Sequence, residues 1–140
     1  METEGFFDPS TVEEAREYYE GVGPTARTTV REVARAMDFD RDEYDDRVTS
    51  EVVATARDAT FAGLLAVTVG SRDAYDEWRD AYDGEVHEIG HEAVDRVAWH
   101  AGPAGEAVAA TFQDEPEAAV ATLRRQAFGR IYRPLFETED

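Results

Sequence analysis

The stretch Gly102-Pro103-Ala104-Gly105 constrains the fold more tightly than any other part of the chain. Two largely apolar runs flank it, Val94 to Ala101 and Glu106 to Phe112. A short Gly/Pro loop between such runs is a turn joining paired antiparallel strands. On the second run Val108, Ala110 and Phe112 alternate onto one face, and Val97 and Trp99 are the expected partners across the hairpin.

The residues before it read first as helices. Thr11 through Glu14 forms a capping-box pattern with Val12, Ala15, Tyr18 and Tyr19 behind it, and Gly21 and Gly23 mark its end. Pro24 opens a second helix, in which Val30, Val33, Ala34 and Met37 recur at helical spacing. Asp40 with Glu43 can cap a short third turn, and Ser50 starts a fourth helix that carries Val52, Val53, Ala56, Ala59 and Thr60 on one side. The pattern then changes. Leu64 to Val69 suits a buried strand, Ser71 caps a short helix bearing Tyr75, Trp78 and Tyr82, and Gly84 to Ile89 reads as a strand. After the hairpin, Pro116 opens a last helix with the stripe Val120, Leu123 and Ala127. The expected fold class is α+β: a helical N-terminal half followed by β-α-β-β-β-α, with a small, mainly antiparallel sheet. With no repeat or linker in view, residues 1–140 are expected to form a single domain, helical over about 9–62 and sheet-containing over about 63–136.

Charge sets the surroundings in which this fold must hold. All 14 basic residues are arginine, against 32 Asp and Glu, for a net charge of −18. So many carboxylates repel one another and strain the compact state. Salt relieves that repulsion, since the screening length falls to roughly 3 Å at 1 M. Arginine's planar fork pairs bidentately with carboxylates, an advantage lysine lacks. The composition therefore reads as adapted to a salt-rich cytoplasm. Nucleic acid is an unfavourable partner, because neutralising phosphates requires clustered basic groups. Cysteine is absent, so disulfides and thiolate chemistry are excluded. The longest apolar stretch, Phe61 to Gly70, is too short to cross a bilayer, and the start Met1-Glu2-Thr3-Glu4 is acidic, unlike a signal segment. A soluble, cytoplasmic protein without membrane contact is expected.

One segment matches a catalytic motif. His87-Glu88-Ile89-Gly90-His91 fits H-E-x-x-H, in which two histidines one helical turn apart hold a zinc ion and the glutamate acts as general base. That chemistry needs a helix and a third ligand. Gly84 lies just upstream, and the positions at which a metzincin carries its glycine and third histidine hold Val94 and Val97. His100, Glu115 and Glu117 are the remaining candidates for a third ligand. A helix here would also take the hairpin's first strand. The segment is therefore read as strand and turn, with no catalytic residue, metal or cofactor assigned; a zinc-dependent hydrolase using His87, Glu88 and His91 is the alternative. Other close carboxylates read as a hydrated face, Ser10, Ser50 and Ser71 as helix caps, and no phosphate-binding glycine loop is present. A second alternative is a helix-turn-helix regulator, for which Arg27, Arg31 and Arg35 form a stripe on the second helix, although Glu32 and the acidic run from Asp38 to Asp46 border it.

The basic residues concentrate elsewhere. Arg124, Arg125, Arg130 and Arg133 lie in a stretch with no acid between Glu117 and Glu137. Phe128, Ile131, Tyr132, Leu135 and Phe136 are interleaved with them, too apolar to hang free in salt-rich water. The leading expectation is a non-catalytic, self-associating binding module. Arg124, Arg125, Arg130, Arg133 and Tyr132 would face an acidic protein partner, a second copy or a small anion.

The runs Val97-Ala98-Trp99-His100-Ala101-Gly102-Pro103 and Ala109-Ala110-Thr111-Phe112-Gln113-Asp114, with Leu123 through Phe136, resemble a family of small acidic proteins from halophilic archaea. The likeness extends over nearly the whole chain and implies habitat and a single domain. It implies no activity and no site residues, and it does not include the H-E-x-x-H segment.

Overall fold

The computed structural model describes residues 1–137. By contact the chain divides into two compact units: Arg16–Phe61 is one, and Met1–Ala15 with the chain from Ala62 onward is the other.

The Arg16–Phe61 unit is helical, as the N-terminal periodicity predicts. Its helices are α1 (Val12–Gly21), α2 (Gly23–Ala36), α3 (Arg41–Arg47) and α4 (Ser50–Gly63), the first and last running across the unit's boundaries. Caps account for most starts. Thr11 Oγ1 accepts the Glu14 N–H at 3.0 Å, while Glu14 reaches back to the Ser10 N–H. Asp40 and Glu43 form the full reciprocal box. Gly21 does not end the first helix cleanly. Val22 stays near helical geometry (φ −86, ψ −6), and Pro24 starts the next helix almost at once. Inside the unit Tyr19 donates to Asp58 at 2.6 Å, lies under the Arg57 guanidinium and meets fully buried Phe61 edge-on. Burial first, and then the Asp58 carboxylate, push the Tyr19 hydroxyl up to about 12.

The second unit holds the sheet. Its strands are β1 (Glu2–Glu4), β2 (Val67–Ser71), β3 (Glu85–Ile89), β4 (Arg96–Ala101) and β5 (Glu106–Phe112), with α5 (Arg72–Ala81) between β2 and β3. The chain closes with α6 (Pro116–Ala127), a π-helical turn over Phe128–Tyr132, and α7 (Arg133–Glu137). The spatial order is β1-β2-β4-β5-β3, antiparallel throughout except where β3 runs parallel to β5. The α+β class and the mainly antiparallel sheet thus agree with the sequence reading. β1 does not appear in that reading, because Glu2-Thr3-Glu4 carries no apolar signal; it pairs with β2 at the sheet edge, with Thr3 and Thr68 hydroxyls 3.0 Å apart. β2 starts later than expected because α4 continues to Gly63 and the Leu64 carbonyl is occupied by the Phe6 and Phe7 amides.

The hairpin forms where expected, in a different register. Val97 lies opposite Thr111 and Trp99 opposite Ala109, whereas Val108 faces His100, Ala110 faces Ala98, and Phe112 faces Arg96. The expected partnership of Val108, Ala110 and Phe112 with Val97 and Trp99 is therefore corrected by one residue, which moves the two sets to opposite faces of the sheet. On one face α5 packs, joining Tyr75, Ala74 and Trp78 to Val97, Trp99, Ala109 and Val86. On the other, the C-terminal helical segment brings in buried Val120, Leu123, Ala127, Phe128, Ile131 and Tyr132. The turn itself is tight against this segment: a Cβ on Gly102 would lie 2.5 Å from Ile131 Cγ2. Burial of a core of this kind supplies most of a domain's stability.

Candidate functional site

The alternation of β3 decides the fate of the H-E-x-x-H segment. Val86 and Glu88 align with Ala107 and Ala109 on the α5 face, while His87 aligns with Val108 on the opposite face. Glu88 accepts the Tyr75 hydroxyl at 2.5 Å and pairs with Arg79 Nη1 at 3.0 Å. His87 instead sits with Nε2 3.2 Å from Glu85 and 3.5 Å from Glu106, and its Nδ1 lies 3.5 Å from Arg130 Nη1. His91 lies beyond the strand, its Nδ1 accepting the Ala93 N–H at 3.0 Å. The helical spacing that would stack two imidazoles over one ion is not formed. Among the described residues no three His, Asp or Glu side chains are arranged to hold a metal ion.

The same alternation builds a cleft of about 610 Å³ on the α5 face. Arg72, Tyr75, Asp76 and Arg79 come from α5, Glu88 from β3, His91 and Glu92 from the following turn, and Thr111 from β5. Ser71 fixes the start of α5 by accepting the Ala74 N–H, which sets Arg72, Tyr75, Asp76 and Arg79 along one side of the helix. Tyr75 is 1% exposed, and burial first, then the bond to Glu88, drive its hydroxyl well above the usual phenol range. The hydroxyl therefore keeps its proton and donates a hydrogen bond to Glu88. Arg72 Nη2 donates to the His91 and Val94 carbonyls at 3.2 and 2.9 Å, and its guanidinium lies 5.7 Å from the Tyr75 ring centre. Its Nε is buried with no acceptor, and no carboxylate pairs with it among the described residues. The rim is held by Gly90, at φ +110: a side chain there would place Cβ 1.9 Å from Thr111 Oγ1, the atom that accepts the His91 N–H.

The opposite face carries a polar group of another kind. His100 is 2% exposed, with Nδ1 2.5 Å from the Ala66 carbonyl and Nε2 2.6 Å from the Tyr132 hydroxyl. A carbonyl only accepts, so Nδ1 carries the proton and Tyr132 donates to Nε2. Burial lowers the His100 pKa, and burial likewise raises that of Tyr132.

This arrangement redistributes the expected binding residues. Tyr132 is 0% exposed, which corrects its expected place on a partner-facing surface: the π turn keeps it on the buried stripe with Phe128 and Ile131. Arg124 is half-buried, its Nε donating to the Leu65 carbonyl at 2.9 Å and its Nη2 to the Glu4 carbonyl at 3.2 Å, so it fastens α6 to the N-terminal strand region. Arg125, Arg130 and Arg133 are exposed; they reach Thr122, His87 and the face of the Phe128 ring respectively. In the other unit Arg27, Arg31 and Arg35 are exposed on α2, with Arg35 paired to Glu32 at 3.3 Å. No sequence signal singled out Arg72, Arg79 or Thr111. The i, i+3, i+7 run from Arg72 to Arg79 through Tyr75 was available, but seeing its partner Glu88 required the register of β3.

The chain belongs to a family of unknown function (DUF5809), which matches residues 6–133. No curated protein and no solved structure matches it. No helix among the described residues is long and apolar enough to cross a membrane.

Proposed function

We propose that this protein is a non-catalytic binding module for a small charged molecule, and that the cleft between α5 and the β3 end of the sheet is its ligand site. One observation carries the reading. Arg72 is a guanidinium without a carboxylate partner among the described residues, in a chain of net charge −18, and it lines a cleft of about 610 Å³. Cavities of that size, with a few convergent polar groups, are typical of small-molecule sites. Catalysis is the weaker use of these groups: Glu88 is already engaged by Tyr75 and Arg79, and His91 Nδ1 by its own turn. The composition suits a cytoplasm rich in salt, and exposed Arg125, Arg130 and Arg133 are the residues left to contact a second copy or an acidic partner.

The test is thermal unfolding in molar KCl with added inorganic phosphate, acetate, glycine or L-leucine. At least one of these probes is expected to raise the unfolding temperature of the wild type but not of Arg72→Gln. A rise that survives Arg72→Gln and disappears in Arg125→Glu/Arg130→Glu would move the site to the C-terminal segment.

A further inference from the structure

The charges around the cleft narrow what it can hold. Arg72 and Arg79 bring two positive groups; Asp76, Glu88 and Glu92 bring three negative ones. A simple anion entering the cleft meets those carboxylates, and a simple cation meets both guanidiniums. At close range a like charge opposes binding about as strongly as an unlike one favours it. Arg79 and Glu88 already face each other at 3.0 Å, and a molecule carrying both signs on one small framework can meet Arg72 and the cleft's carboxylates at once.

The hydrogen-bond inventory is consistent with that. The guanidinium of Arg72 commits Nη2 to two backbone carbonyls and leaves Nη1 without an acceptor among the described residues. The Glu88 carboxylate accepts one bond from Tyr75 and one from Arg79, both to Oε2. A carboxylate has about four acceptor positions, and Oε1, which accepts no bond among the described residues, can take an ammonium group. Tyr75 and Arg79 hold the Glu88 carboxylate in one orientation, and the two carbonyls fix Arg72. The volume far exceeds what the two charged groups alone would occupy, and Ile89 and Val97 add apolar lining.

We infer that the cleft takes a free amino acid as its zwitterion, the α-carboxylate on Arg72 and the α-ammonium on Glu88, with the side chain in the remaining space. The inference rests on the cleft being the ligand site, and adds the class of ligand. The experiment is isothermal titration calorimetry of the whole protein in molar KCl with four probes: L-leucine, glycine, potassium acetate and methylammonium chloride. L-Leucine is expected to bind at least about tenfold more tightly than acetate or methylammonium, and Arg72→Gln and Glu88→Gln are each expected to weaken it by about tenfold or more. If acetate matches L-leucine and Glu88→Gln changes nothing, the zwitterion is wrong and the cleft is an anion site. If none of the four releases heat or shifts the Gly90 and Thr111 amide resonances, the cleft reading fails together with the inference. The comparison among probes needs only the wild type, so it decides the matter even where a variant does not fold.

Discussion

Two tyrosines, Tyr75 and Tyr132, are almost equally buried, at 1% and 0% exposure, and they serve opposite faces of one sheet. Tyr132 donates a hydrogen bond to a neutral histidine that is itself buried, and the pair closes off with the Ala66 carbonyl. Tyr75 donates a hydrogen bond to a carboxylate that is 39% exposed and opens onto a cleft. The same residue type, at the same depth, thus finishes a core on one side and organises a charged pocket on the other. What differs is the hydrogen-bond acceptor: a neutral imidazole can be enclosed, while an ionised carboxylate retains access to water and to a counter-charge.

The comparison can be broken in several ways. Removing either ring outright is the largest change: Tyr132→Ala is expected to lower stability by about 3–5 kcal/mol, the range for truncating a buried aromatic, measured by urea unfolding in molar KCl. Removing only the hydroxyls separates the faces. Tyr132→Phe leaves His100 Nε2 buried and unpaired, an expected loss of about 1–3 kcal/mol, whereas Tyr75→Phe leaves Glu88 with Arg79 and solvent, for less than about 1 kcal/mol. Equal losses would mean that the two faces are not built differently.

Protonation probes the Tyr132 face. Burial lowers the folded-state pKa of His100, while the unfolded chain titrates near 6.5. As pH falls below about 6.5 the unfolded state takes up a proton that the folded state refuses, so stability declines until folded His100 itself protonates; above that pH the contribution is fully present. In a His87→Gln/His91→Gln background, unfolding measured from pH 7.5 down to 5 isolates this decline, and a flat profile would contradict it. The smallest effect is at the cleft. Arg79 and Glu88 are 51% and 39% exposed, so Arg79→Gln should change stability by less than about 1 kcal/mol, and its consequence should appear in ligand affinity instead.

The helices were legible because their starts are local chemistry. The reciprocal box of Asp40 and Glu43, the Ser71 cap and Pro116 at a first turn each act within a few residues of themselves. The hairpin was legible for the same reason, through Gly102 to Gly105. Its register was not, since Val108 and Ala109 are both apolar and fully or nearly buried, and nothing in the alternation says which meets Trp99. β1 escaped notice because its pairing with β2 supplies what its composition lacks. The candidate site was the least legible part. Glu88 reaches Tyr75 and Arg79 through the register of β3 on β5, which sets it opposite Ala109 and is a long-range choice. The interleaved arginines and aromatics near the C-terminus read as one surface. Helical geometry, widened by the π turn, instead sends Tyr132 inward and Arg125, Arg130 and Arg133 outward.

The sharpest single measurement is a heteronuclear NMR titration of the wild type with L-leucine, following arginine Nε–Hε groups, backbone amides and the His100 ring together. Binding in the cleft shifts Arg72 Nε–Hε and the Gly90 and Thr111 amides, and leaves His100 and the resonances of Arg125, Arg130 and Arg133 unmoved. Shifts confined to those three C-terminal arginines, or none at the α5 face, would contradict it.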